Sequence, residues 1–572
     1  LNESALAPVT SQVDANLLAR IKGFEVRNGR PLRVLHIGNI ANNAFHNARL
    51  LRRLGIECDV LCHDYYHIMG CPEWEEADFD NRLSDDFRPD WTSQDLDGYE
   101  RPRWFVQGPL CPAIDYLIAS IDGNQIAANY CWRQLGIINR TQKPGPVERL
   151  QGFSVSFVNW LRRACEVLNH QSRLRNHLEV RAQPHHNPGG VLGAKALRAI
   201  TPALLTGAAA WRTLAALWRS LHPPAVEVLE AELQERAHAE WLCERFRLAF
   251  PSRADGLSAA DIEPWQWLLG RWRALFSRYD VVQGFATSAI VPMVAGGPYF
   301  AFEHGTLREI PFRATAEGRM TALAYHLAEH VFVTNSDCLP NARLLADDRV
   351  SAINHPYDED AGCQIGGWEA LRADLNSTLD ADFLIFHPTR QDWVPGTGYA
   401  DKGNDIVFRT LASLRARGFR VGAVCCAWGT NVAESQRLAV QLGIDGHVHW
   451  VSPLPNVRFI RMARACGLVV DQFMLGGFGG VTFKSLAAGV PVCTNLDQSA
   501  VLESIGAVPP VMNCANEAAL TLSLAELYRN PSRLEELGRE SRAWIKSHHS
   551  GSKVIEAQLF RYLDKIEPFG RA

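Results

Sequence analysis

Hydrophobic and polar positions follow a regular pattern in two regions of the chain, separated by a long stretch in which the pattern loosens. Arg33–Ile37 (RVLHI) is a short apolar run that ends in the small, polar segment Gly38-Asn39-Ile40-Ala41-Asn42-Asn43. Residues 44–54 then carry Phe45, Ala48, Leu51 and Leu54 on or near one helical face, Gly55 stops them, and 56–62 (IECDVLC) is a second apolar run. This predicts a strand–turn–helix–strand unit. The strand pattern returns at 279–284 and 299–303, followed by a helix over 316–327 and a strand over 330–334. A second alternating unit starts near Asp382. Strands are expected at 383–387, 420–427, 447–451, 467–471 and 491–494, with helices at 406–417, 433–442, 457–465 and 481–488 between them. Alternation at this spacing predicts parallel sheets covered on both faces. Closing helices are expected at 517–527, 531–548 and 553–566, the last crossing back to the first unit.

Between about residue 70 and 275 the chain is rich in Trp, Arg and Pro and reads as helical, with stretches at 123–135, 155–168, 193–217 and 225–250. We expect a first domain over 1–355 carrying this helical insertion, a second over 356–548, and a terminal helix in 549–572. Residues 353–357 (INHPY) read as the linker. Asp358-Glu359-Asp360 follows it and reads as a solvated acidic run. The insertion has two readings. One is a solvated helical cap. The other is a basic element, carrying Trp160, Trp211 and Trp218, that binds an acceptor or docks peripherally at a membrane surface. Ile200–Trp218 is the most apolar stretch, but Pro202 and Arg212 interrupt it, so an ordinary packed helix is expected rather than a spanning one.

Composition narrows the class. The 58 Lys and Arg nearly balance 62 Asp and Glu, which argues against a nucleic-acid binder. The 14 cysteines are scattered without zinc or disulfide spacing, so reduced thiols in a cytoplasmic protein are expected. The first loop lacks the Gly-x-Gly-x-x-Gly fingerprint, so no dinucleotide is implied.

Three segments carry a resemblance. Residues 383–403 (FLIFHPTRQDWVPGTGYADKG) place Arg390 at the end of a strand and Lys402-Gly403 after a loop. Residues 468–492 (LVVDQFMLGGFGGVTFKSLAAGVPV) place Gly479-Gly480 at the start of a helix, followed by Val481, Thr482 and Lys484. Residues 302–308 (FEHGTLR) place His304 directly after a strand. Together they resemble retaining glycosyltransferase family 4, whose architecture is GT-B: two Rossmann-like domains facing a cleft.

The resemblance implies a glycosyltransferase moving a sugar from a UDP- or GDP-linked donor to a glycan or lipid-linked acceptor in polysaccharide or glycoconjugate biosynthesis. No other cofactor, metal or nucleic acid is implied. Arg390 and Lys402 would hold the donor diphosphate, as two fixed cations lower the barrier to a leaving group that gains charge. Gly403, Gly479, Gly480, Val481 and Thr482 would present backbone N–H groups to it, and Gly38 and Asn39 would approach from the first domain. His304 would face the donor sugar. Glu303 is its rival, although strand alternation should point it the other way.

One departure stands out. The family's Glu-x7-Glu positions are Gly476 and Lys484 here. Asp471-Gln472 resembles a variant with an earlier acidic residue, so Asp471 would either supply the acid or hold a structural place at the strand end, and Lys484 would contact phosphate. The alternative reading is a catalytically weak GT-B protein that binds a glycan or a partner. An epimerase or a phosphorylase on the same fold fits less well, since an epimerase needs no acceptor insertion and no pyridoxal-phosphate segment is found.

Overall fold

The structure is a computed structural model and describes residues 13–63, 67–81, 83, 85–138, 225–266, 268–397 and 401–566. The predicted helices at 155–168 and 193–217, the apolar stretch Ile200–Trp218, and Trp160, Trp211 and Trp218 lie outside them. The chain divides into two compact units. The smaller, Gln142–Trp241, enters the described residues only as the first part of the helix Ala225–Ala249. The larger, Leu1–Thr141 with Leu242–Ala572, holds the rest of the described residues.

That unit contains two parallel sheets. The first has seven strands in the order β3-β2-β1-β4-β5-β6-β7: β1 Arg33–Ile37, β2 Glu57–Cys62, β3 Phe105–Gln107, β4 Val281–Phe285, β5 Phe300–Glu303, β6 Val331–Val333 and β7 Val350–Ala352. The second has six, in the order β10-β9-β8-β11-β12-β13: β8 Phe383–His387, β9 Val421–Cys426, β10 Val448–Val451, β11 Val469–Val470, β12 Val492–Thr494 and β13 Met512–Asn513. Every ladder is parallel. Inner strands β4 and β9 are buried at every position, so they read as continuous apolar runs. Both sheets reverse strand order once, between β1 and β4 and between β8 and β11. Open α/β sheets bind ligands beyond the carboxyl ends of the strands at such a reversal. The two sheets, with helices around them, form a two-domain Rossmann-like GT-B fold.

Three strands had no usable sequence signal. β3 falls inside the stretch read as purely helical, and β7 and β13 are edge strands of three and two residues. Runs this short show no period, and Pro102, Gly108 and Pro109 around β3 read as loop.

The helix Gly551–Ile566 packs on the first sheet. Val554, Ile555, Leu559, Tyr562 and Leu563 join the same core as β1, β2, β4 and β5. A buried polar chain fastens it: Tyr562 Oη donates to Gln283 Oε1 at 2.6 Å, Gln283 Nε2 to Gln558 Oε1 at 3.1 Å, and Gln558 Nε2 to Asn47 Oδ1 at 2.8 Å.

Of the acidic run after the linker, Asp360 is exposed as expected, but Asp358 and Glu359 are not solvated. Asp358 is buried between Arg53 and Arg49, the latter at 3.3 Å. Glu359 is also buried, and its Oε2 accepts from the backbone N–H of Gly551 at 2.9 Å. Asn354 Nδ2 donates to His548 O at 2.7 Å, so the crossing between halves is clamped at both passages of the chain. Charge alone suggested exposure; the arginines lie some 300 residues away in sequence and gave no local cue.

Tyr562→Phe leaves Gln283 Oε1 without its hydroxyl donor in a dry core. It should lower unfolding free energy by about 1–3 kcal/mol, the cost of an unsatisfied buried acceptor, with no change in the slope of denaturant unfolding. Equilibrium urea unfolding checks this.

Candidate active site

Each half supplies one wall. On the second, β8 ends at His387, whose ring is locked between strand and helix. Its Nδ1 lies 2.8 Å from Val470 O, and its Nε2 accepts from Asn404 Nδ2 at 2.8 Å. Burial holds this imidazole below its usual pKa. The lock fixes the departing loop, Pro388 to Asp392, against the start of the helix Asn404–Ala416.

Arg390 sits in that loop. Its Nε is 2.6 Å from Asp392 Oδ2, and its guanidinium lies over the Trp428 ring, 6.0 Å from the centroid. Lys402 returns beside it, donating through Nζ to Gln472 Oε1 at 2.6 Å. Burial lowers the Lys402 pKa; Arg390 and Arg308 lower it further, against the pull of Asp471 and Asp392. Arg308 comes from the first half, where it pairs with Asp337 at 2.5 Å. Lys402 thus feels one arginine from each half. Gly403 has φ 68°, and a Cβ there would lie 3.2 Å from Phe473 Cβ, so it serves the turn into the helix.

Asp471 is almost fully buried, with both oxygens occupied. Thr389 Oγ1 donates to Oδ1 and Thr482 Oγ1 to Oδ2, each at 2.8 Å. This geometry makes it a tie between the Arg390 loop and the helix Gly480–Ala487, and it commits the Thr482 hydroxyl as well. The first turn of that helix has no acidic residue, and Gly479 at its N-cap offers no side chain to close it. Its backbone N–H groups, at Gly480 and Val481, are therefore available to an anion.

Lys484 does not face the Arg390 side. Its Nζ lies 3.0 Å from both oxygens of Glu75, in the helix Pro72–Glu76 of the first half, and 5.7 Å from the Tyr357 ring centroid. The expected phosphate contact is thus replaced by a pair across the cleft. Burial by itself would raise the Glu75 carboxyl; Lys484, and behind it His46, hold it down at about 2.

On the first wall, Gly38 and Asn39 stand behind the surface. A Cβ on Gly38 would lie 2.6 Å from Ser288 Oγ. The Asn39 side chain is spent on Asn42 Oδ1, Gly70 O and the N–H of Phe45. It shapes the loop rather than touching a ligand. Ala41 and Asn42 are held there at φ 48° and 57°, strained values for residues other than glycine. The loop ends at Asn43, whose Nδ2 lies 3.1 Å from His304 Nδ1. His304 stands edge-on to His355, ring centroids 5.3 Å apart, and His355 stacks on Phe483 of the opposite half. Burial, helped by Arg308, lowers His304 to about 4. The ring is neutral near pH 7. With Nδ1 accepting from Asn43, Nε2 carries the proton as a donor. Glu303 points the other way: it is fully buried, and its Oε1 accepts from Leu307 N at 3.2 Å. Its carboxyl is raised by burial.

Between the walls lies a cavity of about 310 Å³. Asn43, His46, Glu75 and His304 line it from the first half, and Trp428, Asn456, Phe483 and Lys484 from the second. Among the described residues no three side chains of the metal-ligating types come together as a metal site. Sequence reasoning missed Arg308, His46, Glu75 and Asn456. Only Arg308 carried a cue, in FEHGTLR; the others lie in segments without a motif.

No family model and no curated protein matches the chain. Solved structures do. HepE from Anabaena, in complex with UDP-glucose, is 18% identical, with a TM-score of 0.42 over 52% of this chain and 82% of that one. Sucrose-phosphate synthase from Thermosynechococcus elongatus is 13% identical, at 0.39 over 53% and 79%. A variant of S. aureus TarM is 12% identical, at 0.38 over 51% and 58%. At such identities and scores the likeness is weak.

The His304 ring should titrate near pH 4 rather than near 6.5. Histidine NMR resonances followed from pH 8 to 4, assigned with His304→Gln, check this: the His304 signals should stay flat through the range where exposed histidines move.

Proposed function

We propose that the chain is a retaining glycosyltransferase that moves a sugar from a UDP- or GDP-linked donor to a glycan or lipid-linked glycan acceptor, in polysaccharide or glycoconjugate assembly. The observation that carries this reading is the pair of cations Arg390 and Lys402, held by Asp392 at 2.6 Å and Gln472 at 2.6 Å. They meet at the carboxyl ends of β8 and β11, close to the uncapped start of Gly480–Ala487 and to a cavity shared by both halves.

The chemistry follows from these groups. Breaking the bond between sugar and diphosphate leaves growing negative charge on the phosphate oxygen. Arg390 and Lys402 sit in a largely buried site where water screens them poorly, so they stabilise that charge without reorganising. Asp392 and Gln472 hold the two cations in place. The departing phosphate oxygen takes the acceptor's hydroxyl proton on the same face from which it leaves, which retains the configuration and needs no protein base. His304, neutral and donating through Nε2, orients a sugar hydroxyl. Asp471 fixes the Arg390 loop against the phosphate-facing helix and acts as a positioning residue. Asp471→Asn should therefore weaken activity less than loss of either cation.

Arg390→Ala and Lys402→Ala should each lower kcat for transfer, or for slow donor hydrolysis, by about a hundredfold, as loss of one electrostatic transition-state contact does. Steady-state kinetics on folded variants checks this. Unchanged rates would remove the assignment and favour the binding-module reading.

A further inference from the structure

A buried chain of hydrogen bonds runs from the second sheet to both Arg390 and Lys402, and its proton arrangement is fixed from end to end. The backbone N–H of Asp392 donates to Asn404 Oδ1 at 3.2 Å. That leaves the Asn404 amide nitrogen facing His387, where it donates to Nε2 at 2.8 Å. An amide NH2 only donates, so Nε2 must accept and the ring proton sits on Nδ1. Nδ1 in turn lies 2.8 Å from Val470 O, which can only accept. Asp392 then reaches out in three directions. Its Oδ2 lies 2.6 Å from Arg390 Nε, its Oδ1 accepts from Thr430 N at 2.8 Å, and its carbonyl accepts from Lys402 N at 2.6 Å.

His387 and Asn404 are fully buried, and Asp392 is 2% exposed. Burying polar side chains is costly unless every one is bonded, and apolar residues at 387 and 404 would fill the same core without that cost. A fully bonded buried network holds a single geometry instead. Here its two outputs are the Arg390 side chain and the Lys402 backbone, at the two ends of a loop that has no helix or strand to fix it. The charged groups that face this chain are Asp471, which acts on His387 against the effect of burial, and Asp392 beyond Asn404.

We propose that Asn404 is a positioning residue for sugar transfer: by joining His387 to Asp392 it fixes Arg390 and Lys402 in the geometry that the leaving diphosphate needs. The inference rests on the nucleotide-sugar reading above. Asn404 and His387 act through Asp392 alone. A displacement of Asp392 passes to both cations together, because one of its atoms holds each of them. Loss of the relay therefore slows bond breaking, where the cations must meet a charge that appears only in the transition state, more than it weakens donor binding.

Steady-state hydrolysis of UDP-glucose and GDP-mannose by the intact protein, followed across about pH 5.5 to 8.5, tests this with two variants. Asn404→Leu breaks both links and should lower kcat about ten- to a hundredfold at every pH, with KM for the donor nearly unchanged. Asn404→Asp keeps the acceptor for the Asp392 N–H but turns a second acceptor toward His387 Nε2. The link re-forms only when the ring carries both protons, and the new carboxylate raises the pKa at which it does so. Activity of Asn404→Asp should therefore climb toward the wild-type value as pH falls through that pKa, a rise absent from the wild type and from Asn404→Leu. Nitrogen-15 NMR of the imidazoles should show the Nδ1-protonated neutral ring of His387 in the wild type and an imidazolium in Asn404→Asp over the same range. If kcat is unchanged in the folded variants, or if Asn404→Asp keeps the wild-type pH profile, the positioning role is wrong and the nucleotide-sugar reading stands. If Asn404→Leu does not fold, the nearly isosteric Asn404→Asp decides by its pH profile alone. If the wild type neither binds nor hydrolyses a nucleotide sugar at millimolar concentration, that reading fails and the positioning role falls with it.

Discussion

A carboxylate and an ammonium buried in the cleft, one from each half of the molecule, constrain everything around them. Glu75 and Lys484 meet at 3.0 Å with the carboxylate almost wholly removed from water. Stranding either charge would cost about 3–5 kcal/mol, so the helix Pro72–Glu76 must lie against the second half for the pair to exist. Neighbouring contacts agree with that placement. Arg461 reaches Asp78 at 2.6 Å, Arg458 reaches Asp78 at 2.8 Å and also Asp80, and Asn81 donates to Pro453 O at 3.1 Å. The short segment 72–81 therefore works as a strap, and its position defines one edge of the cavity.

The strap also explains how the site divides its labour. Cations gather on one side, where burial lowers the Lys402 ammonium and Arg390 and Arg308 lower it further. On the other side the Glu75 carboxylate is paired with Lys484. The two regions thus differ in charge, with Arg390 and Lys402 in one and a compensated ion pair in the other. The polarity follows from which residues are buried against which, and it needs no ligand to set it up.

Much of this was legible in the chain, and the illegible parts share a cause. FLIFH, with its run of apolar residues before Pro388, is a strand in full, and the 316–327 and 531–548 helices match their periodicity residue for residue. The cationic pair was readable because Arg390 and Lys402 lie within one loop of each other. Glu75 was not: it stands in a stretch rich in Trp and Pro without any period, and its partner is 409 residues away. The same holds for Asp358, read as solvated because its arginines are distant in sequence. Lys484 was visible as a departure from the Glu-x7-Glu pattern, yet nothing local told which charge it would meet. Side chains satisfied by neighbours in sequence announce themselves; those satisfied across the cleft do so only in three dimensions.

The central claim is that the cleft between the sheets binds a nucleoside diphosphate, and a crystal structure of the protein with UDP or GDP tests it most directly. The account predicts the diphosphate between Arg390, Lys402 and the backbone N–H groups of Gly480 and Val481, with the nucleoside in the adjoining cavity. A nucleotide bound elsewhere, with its phosphates touching neither Arg390 nor Lys402, would contradict it.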